Sequence, residues 1–112
     1  MSDVSAIEIT VEELKGKLDA GDSVHVLDVR EPHEIAICAF PDAEEIPMMP
    51  LFVGIRRIAA QQDAEVVVLC HSGVRSLEAA MFLRRQGFPR ARSLRGGIDA
   101  WAARVDPSMA RY

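Results

Sequence analysis

Glu65-Val66-Val67-Val68-Leu69 is a continuous run of mainly β-branched and aliphatic residues, and no other stretch restricts the fold as much. A strand without polar alternation has to be covered on both faces, the situation of an interior strand in a parallel sheet. The run breaks at Cys70-His71-Ser72-Gly73-Val74-Arg75, and beyond Ser76 the pattern becomes helical. Ala79, Phe82 and Leu83 fall at i, i+3 and i+4 on one face, Glu78, Arg84 and Arg85 lie off it, and Gly87 is a natural stop. The pattern predicts a thiol in a short loop between a buried strand and a helix start.

That position favours the anionic, nucleophilic form of a cysteine. A helix start carries unpaired N–H groups and roughly half a unit of positive charge. A loop curled around Cys70 adds N–H groups aimed at one point, and Arg75 adds a permanent cation. A lone cysteine at a strand end reads more simply as a small buried residue. Cysteine, glycine and arginine together at this junction reverse that preference.

The chain has 112 residues, nearly half of them apolar, enough to bury a core without disulfides. Residues 1–112 are therefore expected to form a single domain, with two cysteines that suit a reducing, cytoplasmic setting. No apolar run approaches the ~20 residues of a membrane span, and the first residues lack the regions of a signal peptide. No membrane partner is expected. Charge is divided unevenly: residues 1–49 hold three Lys/Arg against twelve Asp/Glu, residues 50–112 ten arginines against five carboxylates. An ordinary solvated surface accounts for this, and so does a positive field that draws a small anion toward Cys70. The acidic total and few aromatics argue against nucleic acid.

Elsewhere the chain alternates short strands and helices. Ile7-Glu8-Ile9 reads as an edge strand, and Thr10 with Glu13 has capping-box spacing for a helix ending near Ala20-Gly21. Val24 to Val29 is a second strand, with His25 half-exposed, and Pro32 suits the first turn of a short helix. Glu44 to Pro47 is briefly extended. Pro50 to about Gln61 reads as a helix turning Leu51, Ile55, Ile58 and Ala59 inward. Ala91 to Leu94 is a strand, Gly96-Gly97 a turn, Ile98 to Arg104 a last helix, and the remainder an extended tail. Five strands alternating with helices predict an α/β domain with a mainly parallel sheet flanked by helices. Ligands bind beyond the carboxyl ends of such strands. Asp28-Val29-Arg30-Glu31 and the Cys70 loop both fall there, in one crevice if their strands are neighbours.

Four segments stand in order: Val26-Leu27-Asp28-Val29-Arg30-Glu31-Pro32, Cys70-x-x-Gly73-x-Arg75-Ser76, Gly87-Phe88, and Leu94-x-Gly96-Gly97-Ile98-x-Ala100-Trp101. Over about residues 5–104 the chain resembles the single-domain rhodaneses. The resemblance implies a rhodanese-like domain with a parallel sheet and a thiosulfate sulfurtransferase activity. Cys70 would attack the outer sulfur of a donor such as thiosulfate and release sulfite. The persulfide would pass its terminal sulfur to a thiophilic acceptor, cyanide or a thiol. Cys70 and Arg75 are then catalytic. His71, Ser72, Gly73, Val74 and Ser76 bind substrate through the loop, and Arg30 joins them from the second strand. The implied partners are a small anionic sulfur donor and a sulfur-acceptor protein or small thiol. No cofactor beyond the covalent persulfide is implied.

Two other readings compete. A non-catalytic binding module on this fold would be signalled by loss of Cys70 or Arg75, and both are present. Phosphatases and arsenate reductases that resemble this fold carry one residue more between cysteine and arginine, which fits a tetrahedral oxyanion. Here His71 to Val74 make the smaller loop, suited to a single sulfur atom. The chain departs from the family pattern at Cys38-Ala39-Phe40-Pro41-Asp42-Ala43 and at Glu45-Ile46-Pro47, beside the loop. Cys38 there is read as a packing residue, with a resolving thiol as the alternative. Cys70, His71, Cys38 and His33 lack the spacing of a zinc site, so no metal is expected. Trp101 reads as a core or hinge anchor.

Overall fold

The computed structural model describes residues 7–54 and 58–112. Its strands are β1 (Glu8–Ile9), β2 (Val24–Asp28), β3 (Glu44–Glu45), β4 (Glu65–Leu69) and β5 (Ala91–Leu94). They form one sheet in the order β1-β5-β4-β2-β3, and every neighbouring pair is parallel. The Glu65–Leu69 run is thus the central strand. Alternation then sorts its side chains between two cores. Val66, Val68 and Cys70 pack with Leu51, Ala79, Ala80 and Leu83 on one face, and Val67 and Leu69 with Leu14, Phe40, Ile98 and Trp101 on the other. Val66 to Leu69 are fully buried, each side chain contributing about 1.5–3 kcal/mol of hydrophobic stabilisation.

The helices are α1 (Val11–Asp19), α2 (Pro32–Ile35), α3 (Met48–Val53), α4 (Val74–Arg85) and α5 (Gly97–Arg104). The predicted capping box is present: the Glu13 N–H donates to Thr10 Oγ1 at 3.1 Å and the Thr10 N–H to Glu13 Oε1 at 2.9 Å. α1 and α5 cover one face of the sheet; α3 and α4 cover the other, joined by Phe52 against Phe82 at 4.7 Å between ring centroids. Trp101 is buried against Phe40, with ring centroids 4.7 Å apart.

The helix expected from Pro50 to about Gln61 is instead Met48–Val53. Gly54 leaves helical geometry at φ −135°, and Ala59 is exposed, its N–H donating to the Glu44 carboxylate at 3.2 Å. Leu51 and Ile58 reach the core as expected, and Ile55 lies outside the described residues. Among the described residues no helix is long and apolar enough to cross a membrane. β2, β4 and β5 are neighbours running in one direction, so the segments after Asp28, Leu69 and Leu94 emerge side by side.

Candidate active site

Cys70 follows the last residue of β4, and Gly73 is the N-cap of α4. Gly73 adopts φ +106°, a conformation that a side chain resists, and this folds the loop back over the cysteine. As a result the Gly73 N–H donates to Cys70 Sγ at 3.1 Å, and the Ser76 N–H does so at 3.3 Å. Ser76 lies in the first turn of α4, where an N–H has no partner within the helix. Two backbone dipoles therefore converge on one sulfur.

The outer side of the loop is fastened by the start of α5. The Ile98 and Asp99 N–H groups donate to the Cys70 and His71 carbonyls at 2.9 and 3.0 Å. Gly97, at φ +62°, passes so close that a Cβ there would overlap both carbonyl oxygens. With its carbonyls held outward by α5, the loop turns N–H groups inward. The Gly96-Gly97 turn is thus a backbone buttress for the nucleophile, on the same footing as the loop itself.

Side chains extend the arrangement in two directions. Inward, Cys70 Sγ lies 3.4 Å from Ser76 Oγ, and Ser76 Oγ lies 2.8 Å from Ser93 Oγ on β5. Outward, Arg75 gives both terminal nitrogens to the Glu34 carboxylate of α2, each at 2.7 Å. Glu34 also accepts the Tyr112 hydroxyl at 2.9 Å and the Glu31 N–H at 2.9 Å. The Tyr112 ring stacks on His71 with centroids 4.0 Å apart. Burial pushes the Tyr112 phenol up, so it stays protonated and able to donate. Hydrogen bonds to Glu34 raise the Arg75 guanidinium further above its ordinary range.

Arg75 draws the Glu34 carboxyl down to about 2, mainly by hydrogen bonding. A carboxyl lowered on folding stabilises the native state above its unfolded value near ~4.3, and the contribution disappears as pH falls toward the folded value. Between about pH 4.5 and 2, stability should therefore drop through this group. Arg75 is 36% exposed, so solvent screens the pair and the expected loss is about 1–2 kcal/mol. Thermal unfolding across that range, compared with Glu34→Gln, measures it. Equal acid sensitivity in both proteins would rule Glu34 out as the source.

Arg30 lies behind this cluster. Its side chain is fully buried and forked onto Asp28, with Nη2 at 2.7 Å and Nε at 3.0 and 3.1 Å. Its remaining donors reach the Cys38 and Glu34 carbonyls at 2.8 and 3.3 Å and the Tyr112 hydroxyl at 3.2 Å. Burial alone would lower its pKa, but the bonds to Asp28 and Tyr112 outweigh that and raise it.

Of the residues singled out by sequence, the structure brings Cys70, Gly73 and Ser76 into direct contact. Arg75 pairs with Glu34 while staying partly exposed, and Arg30 makes its bonds to Asp28 and the protein interior. His71 lies under Tyr112, while Ser72 and Val74 are exposed at the loop surface. Cys38 Sγ is 3.8 Å from Arg30 Nη1. Among the described residues no group of His, Cys, Asp and Glu is arranged to hold a metal ion. Sequence reasoning missed Glu34, Ser93 and Tyr112. No local pattern marks the first two. Arg111-Tyr112 stands in the tail that the sequence predicts as extended and that resembles tails of rhodanese domains fused to adenylating enzymes, without indicating a partner for the tyrosine.

Comparisons with known proteins agree with this geometry. Residues 10–104 match the family model of the rhodanese-like domain. A sulfurtransferase of Allochromatium vinosum is 41% identical over 92% of this chain and 94% of its own length. The adenylyltransferase and sulfurtransferase MOCS3-2 of Zea mays is 33% identical over 93% of this chain, which spans only 23% of that protein. The human single-domain sulfurtransferase TSTD1 superposes with a TM-score of 0.80 at 25% identity, covering 88% of this chain and 97% of its own. A loop of this shape on this sheet, matched over nearly its whole length, makes the chain a member of the rhodanese-like domain family.

Proposed function

We propose that this protein is a sulfurtransferase that carries sulfur as a persulfide on Cys70. The observation that carries this reading is the convergence of the Gly73 and Ser76 N–H groups on Cys70 Sγ. Fixed donors of this kind stabilise negative charge at the sulfur before any substrate arrives. The relatives named as sulfurtransferases support the same reaction class.

With thiosulfate as donor, the Cys70 thiolate attacks the outer sulfur. A bond forms from Sγ to that sulfur, the bond to the sulfonate sulfur breaks, and sulfite leaves with the electron pair. The terminal sulfur of the persulfide, itself anionic, is then taken by cyanide as thiocyanate or by a thiol, and the Cys70 thiolate returns. This is two-step covalent transfer without an added cofactor. Both cysteines are free thiols, which suits a reducing, cytoplasmic compartment. A small anionic donor is met by the Arg75 guanidinium, partly exposed beside Glu34. The acceptor is a small thiol or a sulfur-acceptor protein.

Intact-protein mass after incubation with thiosulfate tests the proposal. A gain of one sulfur atom, removed again by cyanide, is expected. A protein that takes up no sulfur from thiosulfate or from a persulfide donor would overturn it.

A further inference from the structure

Ser93 stands on β5, outside the loop and outside every motif that marks the family in this chain. It is completely buried, as is Ser76. A buried hydroxyl needs partners, and Ser93 has two: Ser76 Oγ at 2.8 Å and the Gly73 carbonyl at 3.5 Å. With Cys70 Sγ 3.4 Å from Ser76 Oγ, these atoms form a continuous chain from the cysteine sulfur to the carbonyl of the loop glycine.

Each hydroxyl has one proton, so the chain has two polarities. With Cys70 as a thiol, the S–H donates to Ser76 Oγ, Ser76 donates to Ser93, and Ser93 donates to the Gly73 carbonyl. With an anion at Cys70, the sulfur has no proton to give. Ser76 then donates to Sγ, Ser93 turns to donate to Ser76, and the weak 3.5 Å bond to Gly73 is given up. The charge on sulfur strengthens the two bonds of the chain, so removing Ser93 costs the anion more than the thiol. The Gly73 carbonyl loses little, because it also accepts the Leu77 N–H at 3.1 Å. Both hydroxyls turn about their Cβ–Oγ bonds, and no heavy atom has to move.

We propose that Ser93 is a positioning residue for Cys70: it holds the Ser76 hydroxyl so that its proton points at the sulfur whenever the sulfur is anionic. The Cys70 thiolate then receives a third donor, added to the Gly73 and Ser76 N–H groups. The role rests on Cys70 being the reacting sulfur. Ser93 touches neither donor nor acceptor, and acts only through Ser76.

The other charged and titratable groups around the loop are the Arg75–Glu34 pair, His71 under Tyr112, Arg30 with Asp28, and Asp99 held by Arg111 at 2.9 Å. None of them bonds to Ser93 among the described contacts, so Ser93→Ala leaves each in place. The test is the pH profile of Cys70 alkylation by iodoacetamide in a Cys38→Ser background. Ser93→Ala should slow alkylation at neutral pH by roughly three- to tenfold, with the rate at high pH unchanged. In a protein already carrying Ser76→Ala, adding Ser93→Ala should change the neutral rate by less than about twofold, because the connection to sulfur is already cut. An unshifted profile for Ser93→Ala, or the same shift with and without Ser76, overturns the proposal. Alkylation requires no sulfur transfer, so failure to form a persulfide would count against the proposed function and leave this comparison decisive for Ser93.

Discussion

Cys70→Ser should abolish transfer of sulfur from thiosulfate to cyanide, by more than about a thousandfold, while Cys38→Ser keeps most of it. The difference follows from where the two thiols lie. Cys70 is held at the end of the central strand with two backbone N–H groups on its sulfur, and a serine oxygen there has neither the polarisability nor the acidity to replace it. Cys38 comes after α2, its carbonyl and sulfur facing the Arg30 guanidinium, whose Nη1 is 3.8 Å from Sγ, and no backbone N–H is directed at its Sγ among the described contacts. Steady-state assays of the two variants decide the matter. Activity retained in Cys70→Ser would move the reaction to another nucleophile. Equal losses in both variants would indicate a relay between the two cysteines.

The nucleophile was legible because several local rules agree at one place. An unbroken apolar strand, a glycine at the turn and an amphipathic helix each identify the same junction, and each depends only on neighbours in sequence. The buttress at Gly96-Gly97 was legible as a turn. What it supports was not, because Gly97 and Cys70 meet only when β4 and β5 pair. Glu34 and Ser93 were invisible for the same reason. A glutamate in a short helix and a serine in a short strand carry no periodic signal, and their roles come from partners far away in the chain. The Pro50–Gln61 helix failed differently: its apolar spacing continued past Gly54, but Gly54 stands at φ −135° and the Ala59 N–H donates to the Glu44 side chain, a partner that local spacing does not indicate. The arginines are the sharpest case. Sequence places Arg30 and Arg75 at the mouth of the crevice, and an arginine there reads as an anion binder. Whether its donors are free depends on acceptors that sequence does not locate.

For Arg30 those acceptors imply a large structural effect. Arg30→Met should destabilise the fold by about 3–5 kcal/mol, measured by urea unfolding. The Asp28 carboxylate is fully buried and takes three of the bonds that Arg30 Nε and Nη2 make, so removing the guanidinium strands a charge in the interior. It also releases the carbonyls of Glu34 and Cys38 and the Tyr112 hydroxyl, and with them the chain that carries Glu34 to Arg75. Domains of this size have only about 5–15 kcal/mol in total, so the variant should lie near the limit of folding at growth temperature. Arg30→Lys should recover part of the loss: it restores the charge, but a single ammonium cannot span Asp28, Cys38 and Tyr112 together. The decisive comparison is Arg30→Met with Asp28→Asn/Arg30→Met. If the stranded charge dominates, the double variant should be more stable than the single one, since the neutral amide still accepts the residue-30 N–H that Asp28 Oδ1 holds at 3.0 Å. A double variant as unstable as Arg30→Met, or less stable, would show instead that the cost lies in lost packing and in the bonds to α2 and the tail.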